Sequence, residues 1–209
     1  DGFGGNDAIT GLAGDDILIG GDGDDEIDGG PGINRLYGDA GDYKIISSGS
    51  FDFVDGGDGN NEITITSNAV AGTYQSGSGE DIYNLQEGYQ STSSNGNSLD
   101  LKSGAGNDII NVNASLKGGT FRLQDGNNTI NINEVSTDYR RAGFYGGNGD
   151  DTFNINEYQK YFRIHGDMGN DIFNVRDVSG VQRDNNGGFS IYGYLGNDTF
   201  NFTGDFYIN

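Results

Sequence analysis

The chemistry of this chain begins with a carboxylate that keeps returning behind a glycine turn. Asp151 holds the sixth place of residues 146–154 (GGNGDDTFN), and close copies stand at residues 20–28 (GGDGDDEID), 56–64 (GGDGNNEIT), 166–174 (GDMGNDIFN) and 193–201 (GYLGNDTFN). Glycines let the backbone turn tightly and aim its carbonyls at one point, and the aspartate adds a carboxylate oxygen. Such oxygens suit calcium, whose shell is flexible, better than magnesium, which demands a near-ideal octahedron. The last three residues of each copy, apolar in the middle, read as a short strand. Each nonapeptide is therefore a turn, half of a cation site and the start of a strand.

The elements that position these turns follow from the spacing. Nonapeptides run without a gap from residue 2 to 64, beginning at Gly2, Gly11, Gly20, Gly29, Gly38, Ser47 and Gly56. If each makes half a coil, the sixth places form two columns on opposite edges: Asp7, Asp25, Tyr43 and Asn61 on one, Asp16, Asn34 and Asp52 on the other. After residue 64 nonapeptides begin at Ser76, Ser103, Leu123, Gly146, Gly166 and Gly193, separated by stretches of unequal length that lack the glycine turn. These extend the first column through Asp81, Asp108, Asn128, Asp151, Asp171 and Asp198. The expected organisation is one continuous solenoid: residues 1–64 with turns on both edges, residues 65–209 with turns on one edge and variable loops on the other. Eighth places stack as Ile63, Tyr83, Ile110, Ile130, Phe153, Phe173 and Phe200. Tenth places stack as Ile65, Leu85, Val112, Ile132, Ile155, Val175 and Phe202. Period-two alternation turns both stacks inward, and the change from Ile to Phe predicts a wider C-terminal end. Between them Asn84, Asn111, Asn131, Asn154, Asn174 and Asn201 form either an amide ladder or a repeated solvent-facing polar position.

Composition bounds the function classes. The 209 residues include 39 Gly, one Pro and no Cys, and 32 acidic against 11 basic residues give a net charge of -21. Self-repulsion at that level opposes folding unless counter-ions bind; with low hydropathy, the cation-free chain approaches a disordered composition. No basic stripe exists to meet nucleic acid, and no apolar run approaches the roughly 20 residues that span a bilayer. The chain begins inside a turn and stops after an apolar strand, as a segment of a longer repetitive polypeptide would.

The nonapeptide G-G-x-G-x-D-x-U-x, with U a large apolar residue, resembles the RTX (repeats-in-toxin) calcium-binding repeat over nearly the whole chain. The resemblance implies an all-β, right-handed parallel β-roll with calcium-binding glycine-rich turns, holding several Ca2+ ions between stacked turns of one edge. One turn would give carbonyls from places one and three, the next from places two and four, and both their sixth-place Asp. Mapped here, the ligands are Asp7, Gly20, Asp22, Gly23 and Asp25; Asp16 with Asn34; Asp81, Gly104, Gly106, Asp108 and Asn128. In the later turns they are Gly146, Gly147, Asn148, Gly149 and Asp151; Gly166, Asp167, Met168, Gly169 and Asp171; and Gly193, Gly196 and Asp198. The Asp7/Asp25, Asp81/Asp108, Asp151/Asp171 and Asp171/Asp198 gaps are the strongest. Asn34 and Asn128 would offer an amide oxygen and bind more weakly, and Tyr43 breaks the column, so calcium is not expected around residues 34–61. Extracellular calcium modules bind at about 10⁻⁴ to 10⁻³ M, and an ion shared by two coils couples binding to folding.

The resemblance further implies type I secretion in an unfolded state and an extracellular or cell-surface location. The expected role is non-catalytic: a calcium-folded structural or adhesive segment, with self-assembly of copies, as in a surface layer, as a second form of it. His165 is the only histidine, so neither a zinc site nor a Cys/His nucleophile can be built, and the carboxylates belong to the turns. The alternative is a carbohydrate-binding segment, like the R-modules of alginate epimerases, attached to a polysaccharide-modifying enzyme. Arg140, Arg141, Lys160 and Arg163, with tyrosines nearby, form either a face for anionic polysaccharide or another copy, or scattered solubilising charge.

Overall fold

Each nonapeptide ends in a strand because its apolar eighth residue must leave water while its neighbours at seven and nine face outward. The computed structural model describes residues 1–66, 69–89, 98–114, 116–133, 142–156, 162–176 and 190–204. Along the chain, strands alternate between two sheets. The early ones are β1 (Ala8–Thr10), β2 (Ile17–Asp22), β3 (Glu26–Asp28), β4 (Arg35–Ala40), β5 (Lys44–Ser47), β6 (Ser50–Asp55) and β7 (Glu62–Ile65). There follow β8 (Val70–Gln75), β9 (Ile82–Leu85), β10 (Leu99–Lys102), β11 (Ile109–Val112), β12 (Gly119–Arg122) and β13 (Thr129–Ile132). The last are β14 (Ala142–Asn148), β15 (Thr152–Ile155), β16 (Phe162–Met168), β17 (Ile172–Arg176), β18 (Ser190–Leu195) and β19 (Thr199–Thr203).

Odd strands form one sheet and even strands the other, each in chain order, and every pairing between strands is parallel. The result is a parallel β-solenoid. Register is kept although the coils differ in length: sixth places paired across successive coils lie 18 residues apart at Asp7 and Asp25, 20 at Asn61 and Asp81, 27 at Asp81 and Asp108, and 23 at Asn128 and Asp151. Ile110 still pairs with Tyr83 and with Ile130. Slipping one residue would turn the buried set to solvent, so the apolar pattern holds the pairing against changes of connection length.

The core is the space between the sheets. Ile63, Tyr83, Ile110, Ile130, Phe153 and Phe173 are fully buried, as are Ile65, Leu85, Val112, Ile132 and Ile155. The second sheet opposes them with Leu36, Val54, Tyr74, Leu101, Phe121, Phe144 and Ile164. Phe153, Phe173 and Phe200 stack nearly parallel at centroid distances of 5.0 and 4.8 Å, offset-stacked contacts worth about 1 kcal/mol each beyond area burial. Phe200 and Phe202, on the last described coil, are half exposed.

Between the two apolar stacks the asparagine column is an amide ladder: each Nδ2 donates to the Oδ1 of the preceding coil, from Asn201 through Asn174, Asn154, Asn131 and Asn111 to Asn84, at 2.8–2.9 Å. A second ladder, unforeseen in the sequence, joins Asn156, Asn133 and Asn113 at 2.7 and 2.9 Å.

Candidate metal centre

The turns that connect even strands to odd ones build the principal edge. Places two and four of a regular turn take positive φ, as at Gly147 (102°) and Gly149 (124°). Place two accepts a side chain there, for example Asp167 and Tyr194. Place four does not, because a Cβ on Gly169 would run into the Gly149 carbonyl of the coil before it. A glycine column thus lets the turns stack at strand spacing.

Stacking fixes one oxygen of each sixth-place Asp or Asn that follows an earlier coil on its edge. Asp25 Oδ1 accepts the Asp7 N–H (2.8 Å), Asp108 that of Asp81 (3.0 Å), Asp151 that of Asn128 (2.8 Å), Asp171 that of Asp151 (2.9 Å) and Asp198 that of Asp171 (3.1 Å). The other oxygen points inward, and Oδ2 of Asp7, Asp16, Asp25, Asp81, Asp108, Asp151 and Asp171 is buried without a hydrogen-bond partner. Orphaned carboxylate oxygens are costly, and they line up along the axis.

Those of Asp7, Asp16, Asp151 and Asp171 each face an open cradle. A Cβ on Gly2 would lie 2.7 Å from Asp7 Oδ2 and 2.5 Å from the Gly20 carbonyl; one on Gly11 would lie 2.8 Å from Asp16 Oδ2 and 2.6 Å from Gly29 O. A Cβ on Gly146 would meet Asp151 Oδ2 and Gly166 O, and one on Gly166 would meet Asp171 Oδ2 and Gly193 O. The first place is glycine because its missing side chain leaves room where a carboxylate and the next coil's carbonyl converge. Among the described residues no three acidic, His or Cys side chains come together, so a cation here would be held by carbonyls and few carboxylates, a donor set that fits calcium.

Burial acts on these carboxyls. It pushes Asp151 up to about 7, with the charge of Asp171 adding, and Asp81 up to about 6, with Asp108 adding; Asp108 and Asp171 rise for the same first reason. A divalent ion would remove that penalty by pairing the charged form.

The cradles differ. Between Asp25 and the next coil the Tyr43 ring fills the space: its Cε1 lies 2.8 Å from where a Gly20 Cβ would be, and its hydroxyl donates to Gly21 O. Burial first, then the surrounding aspartates, pushes the phenol to about 12, so it remains a neutral donor. Asn34, Asn61 and Asn128 also close their own turns. Each Oδ1 accepts a sixth-place N–H, so the Nδ2 group is the one facing the cradle. Asn34 donates to Gly30 O (2.9 Å), Asn61 to Gly57 O (3.3 Å) and Gly59 O (3.2 Å), and Asn128 to Gly126 O (3.1 Å). The amide oxygen anticipated as a ligand at Asn34 and Asn128 is thus already engaged, and the group turned to the cradle is an N–H that repels a cation. Asp52 is satisfied too, its Oδ2 accepting from Ser47 Oγ (2.6 Å) and Gly49 N (3.1 Å). At the Asp81/Asp108 gap the first places are Ser76 and Ser103, and Ser103 Oγ donates to Leu123 O (2.9 Å), so that gap is less open than its neighbours.

The remaining expected ligands lie in these turns. Gly104 and Gly106 have positive φ; the Asp22 and Met168 carbonyls each accept a turn N–H, from Gly5 and Gly149. Asn148, at the third place of its turn, binds Asp125 through Nδ2 (2.6 Å). Gly23, Gly193 and Gly196 complete their turns. Arg140, Arg141 and Lys160 lie outside the described residues. Arg163 is exposed on β16, on the outward face of the second sheet. His165 sits beside it among the rings of Tyr145, Tyr192 and Tyr194 at 4.8–5.2 Å, a packing role. Sequence reasoning missed the fifth place: Asn6, Asp24, Asp42, Asn60, Asn107, Asn127, Asp150 and Asn170 each accept the fifth-place N–H of the next coil through Oδ1. Its signal was the recurrent Asn or Asp before the sixth residue.

Compared with known families, residues 1–36 match the RTX calcium-binding nonapeptide repeat in four copies. No curated protein matches the chain.

Proposed function

We propose, from the match of residues 1–36 to RTX calcium-binding nonapeptide repeats, that the whole solenoid is a non-catalytic structural segment of a secreted or cell-surface protein, folded by calcium along its principal edge. The observation that carries this reading is the line of buried, unpartnered Oδ2 atoms at Asp7, Asp151 and Asp171, each beside a first-place glycine. Calcium, when bound, supplies positive charge to these oxygens. The chain's part is to hold the carboxylates at fixed spacing and to keep the first place free of side chains. The pairs favoured as sites are Asp7/Asp25, Asp151/Asp171 and Asp171/Asp198, then Asp81/Asp108; Asp16 faces a similar cradle on the opposite edge.

An acidic chain of charge -21 stays expanded where calcium is scarce and condenses where it is abundant, which suits export before folding and an adhesive or surface-layer role outside the cell. Far-UV circular dichroism during a calcium titration, with magnesium as the control, tests the reading. A cooperative rise of β structure with calcium alone is expected. A chain fully folded in chelator, with no thermal shift on adding calcium, would sink it.

A further inference from the structure

The outward face of the odd-numbered sheet from β9 to β19 is unlike the rest of this acidic chain. Its outward strand positions are Ile82, Ile109, Thr129, Thr152, Ile172 and Thr199 in one column, the Asn84-to-Asn201 ladder in the next, and Arg176 and Thr203 at the far end of the last two strands. The second ladder, Asn113, Asn133 and Asn156, continues that third column just past the strands. No carboxylate occupies these strand positions, although the chain has 32 acidic residues. A groove of about 260 Å³ runs over its C-terminal part, lined by Asn154, Asn156, Asn174, Arg176, Asn201 and Thr203.

The ladder hydrogen bonds leave the amides half used. Asn154 Nδ2 donates one hydrogen to Asn131, and its Oδ1 accepts one from Asn174. A carboxamide has two donor hydrogens and two acceptor lone pairs, so among the described residues each interior rung retains one of each, repeated at about 4.8 Å along the axis. Ile109 and Ile172, 36% and 39% exposed, add an apolar margin.

We propose that this face is a docking surface for a linear, uncharged polysaccharide lying along the solenoid axis. A sugar hydroxyl both donates and accepts, matching the donor and acceptor on each rung, and the C–H faces of the rings would rest on the isoleucine and threonine column. The absence of carboxylates removes the desolvation cost that a neutral polymer would meet on the calcium edge. The proposal goes beyond the calcium reading and depends on it only in that the face exists in the folded chain.

The test is electrophoresis of the calcium-loaded chain through native gels containing hydroxyethyl cellulose, dextran or xylan, with hyaluronan as the anionic comparator. Retardation by a neutral polymer is expected, weakened about tenfold in Asn133→Ala/Asn156→Ala, as the loss of two modest hydrogen bonds implies. Ile109→Glu, which leaves both ladders intact, should weaken it as well, with circular dichroism reporting the fold separately. No retardation by any neutral polymer, or retardation that both variants leave unchanged, overturns the proposal. So does retardation by hyaluronan alone that Arg163→Ala abolishes, which would place binding on the other sheet. A dimer seen by sedimentation and removed by Ile109→Glu, without polymer binding, would make a second copy the occupant instead.

Discussion

The coils around residues 29–61 and those around residues 146–198 share one turn geometry and reach electrical balance by different means. In the first, Tyr43, Asn34 and Asn61 turn an O–H or N–H into their own cradles, and Ser47 and Gly49 satisfy Asp52. In the second, Asp151 and Asp171 leave buried oxygens facing first-place glycines. One block carries its hydrogen-bond donors in its sequence; under the proposed function the other would take positive charge from calcium in solution. A repeat stack behaves as a sum of coil and interface terms, so on the same proposal the block that needs no cation would order first and template the neighbours that await calcium.

Breaking the self-satisfied block should have the largest effect. Tyr43→Ala empties a buried ring position and is expected to cost about 3 kcal/mol, measured by urea unfolding in chelator; an unchanged midpoint would mean the ring carries no load. Tyr43→Asp in saturating calcium should instead raise the number of ions counted by titration calorimetry, converting one kind of coil into the other. Asp171→Asn turns a shared carboxylate into an amide and should raise the calcium midpoint about tenfold, roughly 1.4 kcal/mol, whereas Asn34→Ala should leave that midpoint in place and lower stability in chelator.

Acid should separate the two states of the calcium block. Burial holds the Asp151 carboxyl up at about 7 and that of Asp81 at about 6, against an ordinary aspartate value of 3.8. A raised carboxyl binds its proton more tightly in the folded state, so its contribution is fully present below about 3.8 and is lost as pH rises through 6 to 7. In chelator the fold should therefore gain stability between pH 7.5 and 5. Over the same range protons compete with calcium, and the calcium midpoint should rise; equal slopes with and without calcium would break the assignment. The smallest effect is expected of Asn131→Ala, about 1 kcal/mol from an interrupted ladder, felt equally with and without calcium.

Much of this was legible because it is periodic and local. Period-two apolar residues buried Ile110, Ile130 and Phe153, and glycine at the fourth place stacked the turns, whatever the connection length between coils. The amide orientation of Asn34 and Asn128 was not legible. One letter names both an oxygen and an N–H2 group, and which of them meets the cradle depends on a backbone N–H arriving from another coil. The closure of Asp52 by Ser47, and the second asparagine ladder, likewise join residues made neighbours only by coiling.

The sequence by itself determined the repeat, the two columns of sixth-place residues, the inward stacks and the excess of carboxylate charge, since each follows from composition and short-range spacing. Tertiary structure decided which cradles keep an unpaired oxygen and which are closed from within. That outcome rests on hydrogen bonds between successive coils, 18 to 27 residues apart in the chain, where the direction of a single donor sets whether a turn attracts a cation or repels it.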